Sequence, residues 1–84
     1  MYIFFSNKFE KRIQKQPRKI QIKFKERYLV FQEDQFHYSL NNHALTGKFK
    51  GIRSFNVTGD IRVHYKEEKD RIIFIDISSH AELY

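Results

Sequence analysis

From Asn42 to Tyr84 the chain reads NHALTGKFKGIRSFNVTGDIRVHYKEEKDRIIFIDISSHAELY, and this half decides the fold. Ile52–Val57 carries enough Phe and Val to read as a strand. Thr58-Gly59 follows as a tight turn, with a glycine able to take positive φ. Asp60–Tyr65 is the returning strand. Strand side chains alternate with period two, so Ile61, Val63 and Tyr65 share one side, and Asp60, Arg62 and His64 the other. Glu67-Glu68-Lys69-Asp70 is a charged turn. Arg71–Ile77 is almost continuously apolar, as expected of a strand covered on both faces. The product is an antiparallel meander with a polar, charged lane across one face.

Upstream, Tyr2–Phe5 reads as a short first strand, and Ser6 as an N-cap whose hydroxyl accepts from the following turn. A first helix over about Asn7–Lys15 puts Phe9 and Ile13 on one face at i and i+4. Pro17 breaks it and opens the next element, where its missing N–H costs nothing. Arg18–Asp34 carries two patterns. Lys19–Lys25 alternates as a strand would, yet Ile20, Phe24, Tyr28 and Phe31 recur at helical spacing in a run too long for a typical strand. The absence of glycine after Pro17 and the abundance of Lys, Arg, Glu and Gln select helix. Asp34–Thr46 is a polar connection. The expected architecture is α+β, a single domain over residues 1–84 in the order β-α-α-β-β-β, with helices on one sheet face and a groove on the other.

Composition narrows the function. With 84 residues the core is modest, and nine Phe and five Tyr compensate because aromatics bury large areas. No cysteine means no disulfide, no thiolate nucleophile and no Cys-based zinc site. His37, His43, His64 and His80 form no compact ligand motif, so no metal and no cofactor are expected. There is no glycine-rich nucleotide loop or serine elbow. No apolar run is long enough for a membrane, and Met1–Phe5 lacks the basic region and cleavage site of a signal peptide. The expectation is a soluble cytoplasmic protein. The net charge is +6, and its placement is uneven: Met1–Lys25 holds eight Lys or Arg against Glu10 alone. Such a region favours phosphate backbones or an acidic protein partner; a solvated helix face is the other reading.

Several segments resemble the RelE/YafQ family of bacterial type II toxins, the YafQ branch above all. They are Asn42-His43-Ala44-Leu45-Thr46-Gly47-Lys48-Phe49-Lys50-Gly51, then Arg53-Ser54-Phe55, Gly59-Asp60 with Arg62, and Ser79-His80-Ala81-Glu82-Leu83-Tyr84. The likeness is strong over Asn42–Tyr84 and diffuse before it. It implies a helical hairpin packed on the sheet, and a metal-independent ribonuclease that cuts mRNA in the ribosomal A site. The implied partners are the ribosome with its A-site mRNA and a cognate acidic antitoxin, with no membrane and no small-molecule cofactor. A non-catalytic inhibitor of DNA gyrase, like the related ParE toxins, is the alternative, and a decayed nuclease that only binds RNA or antitoxin is a third.

Cutting RNA without a metal needs a base for the ribose 2′-hydroxyl, an acid for the departing 5′-oxygen and fixed cations for the transition state. Histidine suits either proton role near neutral pH. By resemblance His80 is a catalytic residue, the general acid; alone it would read as a solvated histidine near the chain's end. Asp60 is by resemblance a proton-transfer residue or an orienter of one, although Asp beside Gly is common in turns. His43 matches another catalytic histidine of the family; its alternative is a loop cap. Arg62 can grip a phosphate with two parallel hydrogen bonds, or form a cross-strand salt bridge. Lys48 and Lys50 emerge on one side if their segment is extended, and with Arg53 they are assigned to RNA contact or to solvent. Tyr84 resembles the aromatic that ends the family motif and would stack on a base, unless it packs on the sheet. Where the YafQ branch has a further histidine before the hairpin turn, this chain has Asn56, which hydrogen-bonds but cannot carry a proton. His37 and His64 match no catalytic position of the family.

Overall fold

The computed structural model describes residues 2–83. Strand β1 (Tyr2–Phe5) leads into helices α1 (Asn7–Lys15) and α2 (Arg18–Glu33). A 3₁₀ turn at Tyr38–Leu40, the two-residue strand β2 (His43–Ala44) and a second 3₁₀ turn at Gly47–Phe49 follow. The meander β3 (Ile52–Asn56), β4 (Ile61–Glu68) and β5 (Arg71–Ser79) ends in the short helix α3 (His80–Leu83). The expected α+β class holds and the helical hairpin is present.

Three details depart from expectation. The sheet has five strands in the order β1-β5-β4-β3-β2, because β2 forms inside the stretch read as a polar connection. It is mixed rather than antiparallel: β1 pairs parallel to β5. A helical crossover permits parallel pairing where a tight turn would impose antiparallel. Finally, Gly59 does not take positive φ, which the glycines Gly47 and Gly51 adopt instead. The hairpin turn is closed by Thr58, whose Oγ1 accepts from the amides of Ile61 at 2.9 Å and Asp60 at 3.3 Å.

Ser6 caps α1 as read, accepting from the Phe9 amide at 3.0 Å while its hydroxyl donates to the Ile75 carbonyl at 2.9 Å. Pro17 stands at the start of α2, with its carbonyl accepting from Ile20 and Gln21. The helices press Phe9, Phe24 and Phe31 onto Phe55, Val57, Val63, Tyr65, Ile72, Phe74 and Ile77 of the sheet. Phe74 is the hub. Its ring meets those of Phe5, Phe9, Phe24, Tyr28, Phe31, Phe55 and Tyr65 at centroid separations of 5.3–6.1 Å.

Strict alternation along β5 would put Ile72, Phe74, Asp76 and Ser78 on one face, driving an acid into this aromatic core. A bulge prevents it. Tyr65 faces Phe74 and His64 faces Asp76, so Ile75 has no opposite number on β4. Beyond the bulge Ile77 takes the core side, while Asp76 and Ser78 turn to the other face. The expectation that β5 is covered on both faces holds in part: Ile73 and Ile75 are only half-buried.

Candidate active site

The face away from the helices is a polar lattice built by register. His43 of β2 stands opposite Ser54 of β3, Ser54 opposite His64 of β4, and His64 opposite Asp76 of β5. The next row runs Asn56, Arg62, Ser78. This is the lane expected from the period of β4, but its floor is not an open groove. Ser54 is 0% exposed, His64 5% and Asp76 7%. The Phe49 ring stands edge-on to His64 at 5.7 Å.

Buried charge on this scale requires partners. Asp76 has them from the sheet edge. Strand β1 ends opposite Phe74, and α1, whose capping Ser6 donates its hydroxyl to the Ile75 carbonyl, packs along the rest of β5. From α1, Lys8 Nζ lies 3.2 Å and Arg12 Nε 3.7 Å from the Asp76 carboxylate. Two cations of the basic opening segment are therefore committed within the fold. Burial holds the His64 imidazole below the ordinary histidine pKa. Asp76 opposes that shift, while nearby His43, Arg62 and His80 reinforce it.

His80 opens α3. Ser79 and Glu82 form a local box around it: the Ser79 hydroxyl accepts from the Glu82 amide at 3.2 Å and donates to the Glu82 carboxylate at 3.0 Å. Hydroxyls of Ser78 and Ser79 hold the Glu82 carboxyl below its ordinary range. The His80 amide donates to the Asp60 carbonyl at 2.9 Å, so the hairpin turn and the chain's end meet. Arg62 donates from Nη2 to the Gly59 carbonyl at 3.3 Å. Its Nε, the Asn56 Oδ1 across the strand and the Ser54 Oγ are buried with no hydrogen-bond partner in the protein. All three lie on the one polar face of the sheet.

The sequence-derived residues divide accordingly. His43, Arg62 and His80 gather around His64, Asp60 joins them through His80, and Asn56 lies beside Arg62. His43 belongs to a strand rather than a loop, with Nδ1 2.9 Å from the Asn41 carbonyl. Arg53 lies on the opposite, helix-side face, in register with Tyr65; its Nε donates to Asn42 Oδ1 at 2.9 Å and its guanidinium stacks over Phe36. Lys48 and Lys50 are exposed, but a 3₁₀ turn replaces the extended segment that would have aligned them, and Lys48 Nζ sits 5.3 Å from the Phe49 ring centroid. Tyr84 lies outside the described residues. His64 and Asp76 were not among the sequence candidates. The parity of His64 with Arg62, and a lone acid inside an isoleucine-rich run, were the available signals. Among the described residues, no group of three His, Asp or Glu side chains is placed to hold a metal ion. Nor is any helix there long and apolar enough to cross a membrane.

Solved structures share this architecture. A YoeB/ParE toxin from Agrobacterium tumefaciens superposes with TM-score 0.79 at 16% identity, over 95% of this chain and 99% of that one. YafQ from E. coli gives 0.75 at 21%, over 98% and 96%. YafQ in the E. coli DinJ–YafQ complex gives 0.72 at 22%, over 98% and 96%. No curated protein sequence matches the chain. The fold is thus that of the small RelE-like bacterial toxins. A family model described as "Bacterial toxin of type II toxin-antitoxin system, YafQ" matches residues 1–84. The chain belongs to the YafQ family of type II toxins.

Proposed function

We propose that this toxin is a ribosome-dependent mRNA endonuclease acting in the cytoplasm on A-site mRNA, without a metal. The observation that carries the reading is the gathering of His43, Arg62 and His80 around one polar sheet face, with Asp60 tied to His80. On this reading a base, His43 or Asp60, takes the 2′-hydroxyl proton. The 2′-oxygen attacks phosphorus, a 2′,3′-cyclic phosphate forms, the P–O5′ bond breaks and His80 protonates the departing 5′-oxygen. Arg62 stabilises the charge that builds on the phosphoryl oxygens. Asn56 supports Arg62 by position, and the exposed Lys48 and Lys50 track the RNA backbone. Tyr84 stacks on a base. Arg53 is the weakest of the proposed RNA contacts, since its side chain is engaged on the other face.

The E. coli relative is found in complex with DinJ, which supports a cognate antitoxin here; the net charge of +6 favours an acidic one. Induction of the chain in cells, followed by mapping of mRNA 5′ ends against reading frame, tests the proposal. In-frame cuts are expected. Growth arrest without cuts would favour a target such as gyrase.

A further inference from the structure

His64 is the buried centre of the polar face, yet the mechanism above gives it no step. Its position is built from both neighbouring strands, Ser54 on one side and Asp76 on the other. The groups around it come from five elements. Asp76 stands opposite it on β5 and Arg62 lies on its own strand; His43 acts on it from β2, across Ser54, and His80 from α3, while Lys8 and Arg12 of α1 act on it through Asp76. The turn over it brings the uncharged Phe49 ring. One carboxylate therefore serves two cations from α1 while three further basic groups crowd the imidazole.

We propose that His64 is a positioning residue that takes up a proton from solvent when a phosphodiester anion settles against Arg62 and His80, and is neutral before that. It does not touch the phosphate. It acts through the charge of the residues that do, and the inference rests on the reading of this face as the RNA site.

In the free protein a charged His64 would pay for burial and would be repelled by Arg62 and any protonated neighbour, which agrees with the direction of its pKa. A bound phosphodiester brings a negative charge that offsets the repulsion from Arg62 and His80. The attraction to Asp76 then prevails, and the imidazolium remains between Asp76 and the anion-loaded cations. Coupling between sites is reciprocal, so proton uptake by His64 must tighten phosphodiester binding by the same factor. The extra positive charge arrives only with substrate, which spares the free fold a buried cation and adds to the field on the phosphoryl group when it matters.

Two measurements on the full chain test this. The first follows the histidine ring signals by NMR from about pH 5 to 8, with and without a short oligodeoxynucleotide. That probe lacks the 2′-hydroxyl, so it is not cleaved, and its charge is constant over the range. The His64 midpoint is expected to rise on binding. The second compares oligodeoxynucleotide affinity at the two ends of the range in the parent and in His64→Gln. His43 and His80 are present in both proteins, so the difference isolates His64. The parent should gain at least about fivefold more at low pH than the variant, the lower end of coupling between linked sites. Asp76→Asn is nearly isosteric and should lower the His64 midpoint in the free protein, which covers the case in which His64→Gln fails to fold. A His64 midpoint unmoved by the oligonucleotide, by Asp76→Asn, or for want of any binding at millimolar probe overturns the inference. In-frame cuts in cells alongside an unmoved midpoint would overturn it while leaving the endonuclease reading standing; a moved midpoint without cuts would do the reverse.

Discussion

The carbonyl of Asp60 accepts the backbone N–H of His80 at 2.9 Å, joining two residues that lie just before the start of β4 and just past the end of β5. The bond uses main-chain atoms only, so it persists whatever side chain stands at position 60. It fixes where α3 begins, and with it where the imidazole emerges.

That separation of roles makes the first prediction. His80→Ala should lower single-turnover cleavage on programmed ribosomes by roughly 10²–10⁴-fold, the range of a lost proton transfer, with ribosome binding nearly unchanged. Asp60→Asn leaves the backbone bond intact and removes only the carboxylate. A parental rate in Asp60→Asn would reduce Asp60 to an anchor for His80; a parental rate in His80→Ala would remove the general-acid assignment.

Position 56 gives a graded series. Asn56 Oδ1 and Arg62 Nε are buried side by side without partners, so Asn56→Ala removes a group that is already unsatisfied. Stability should change little, because deleting an unpaired buried acceptor relieves a desolvation cost. Cleavage should fall less than in His80→Ala, through looser positioning of Arg62, and Asn56→His should run at or above the parent. Chemical denaturation together with single-turnover rates measures both halves. An Asn56→Ala rate as low as that of His80→Ala would contradict the ordering.

Tyr65 offers a test of the fold apart from the chemistry. Its hydroxyl accepts from Asn42 Nδ2 at 2.7 Å and Gln35 Nε2 at 2.9 Å, and Asn42 in turn holds Arg53. Tyr65→Phe takes one acceptor from each amide, while Asn42 Nδ2 keeps the Gln35 carbonyl and Gln35 Nε2 keeps Glu67 Oε1. A loss of about 0.5–1.5 kcal/mol is expected in urea denaturation, typical of lost intramolecular hydrogen bonds. A loss below measurement error would mean that water replaces the hydroxyl.

His64 should also leave a mark on stability against pH. Its folded pKa is lowered from 6.5, so near and below that value the unfolded chain binds the proton more readily than the native one. The stabilisation held by neutral His64 is therefore present above about pH 6.5 and is lost as pH falls through the folded pKa. Melting temperature should drop over that acid window more steeply in the parent than in His64→Gln. Equal slopes for the two proteins would contradict burial as the dominant cause.

Much of this molecule was legible in its residues. Ser6 before an amphipathic run, Pro17 between two helical patterns, and period-two alternation across Ile61–Tyr65 are local signals, and local backbone preference plus a buried face is enough to realise them. The same alternation placed Arg62 and His64 on one side, and the family motifs pointed to His43, Asp60 and His80. Pairing was decided elsewhere. That β1 lies parallel to β5, and that His43 and Ala44 add a fifth strand, depends on which edges remain free once the meander has formed. Gly59 is able to take positive φ, but the Thr58 hydroxyl closes the hairpin and removes the need. The bulge at Ile75 was invisible to any periodic reading of β5. It arises because an aromatic core on one side cannot take Asp76, while His64, Lys8 and Arg12 on the other can. Only the tertiary structure could choose between those faces, because the partners that make the acid tolerable come from α1 and β4.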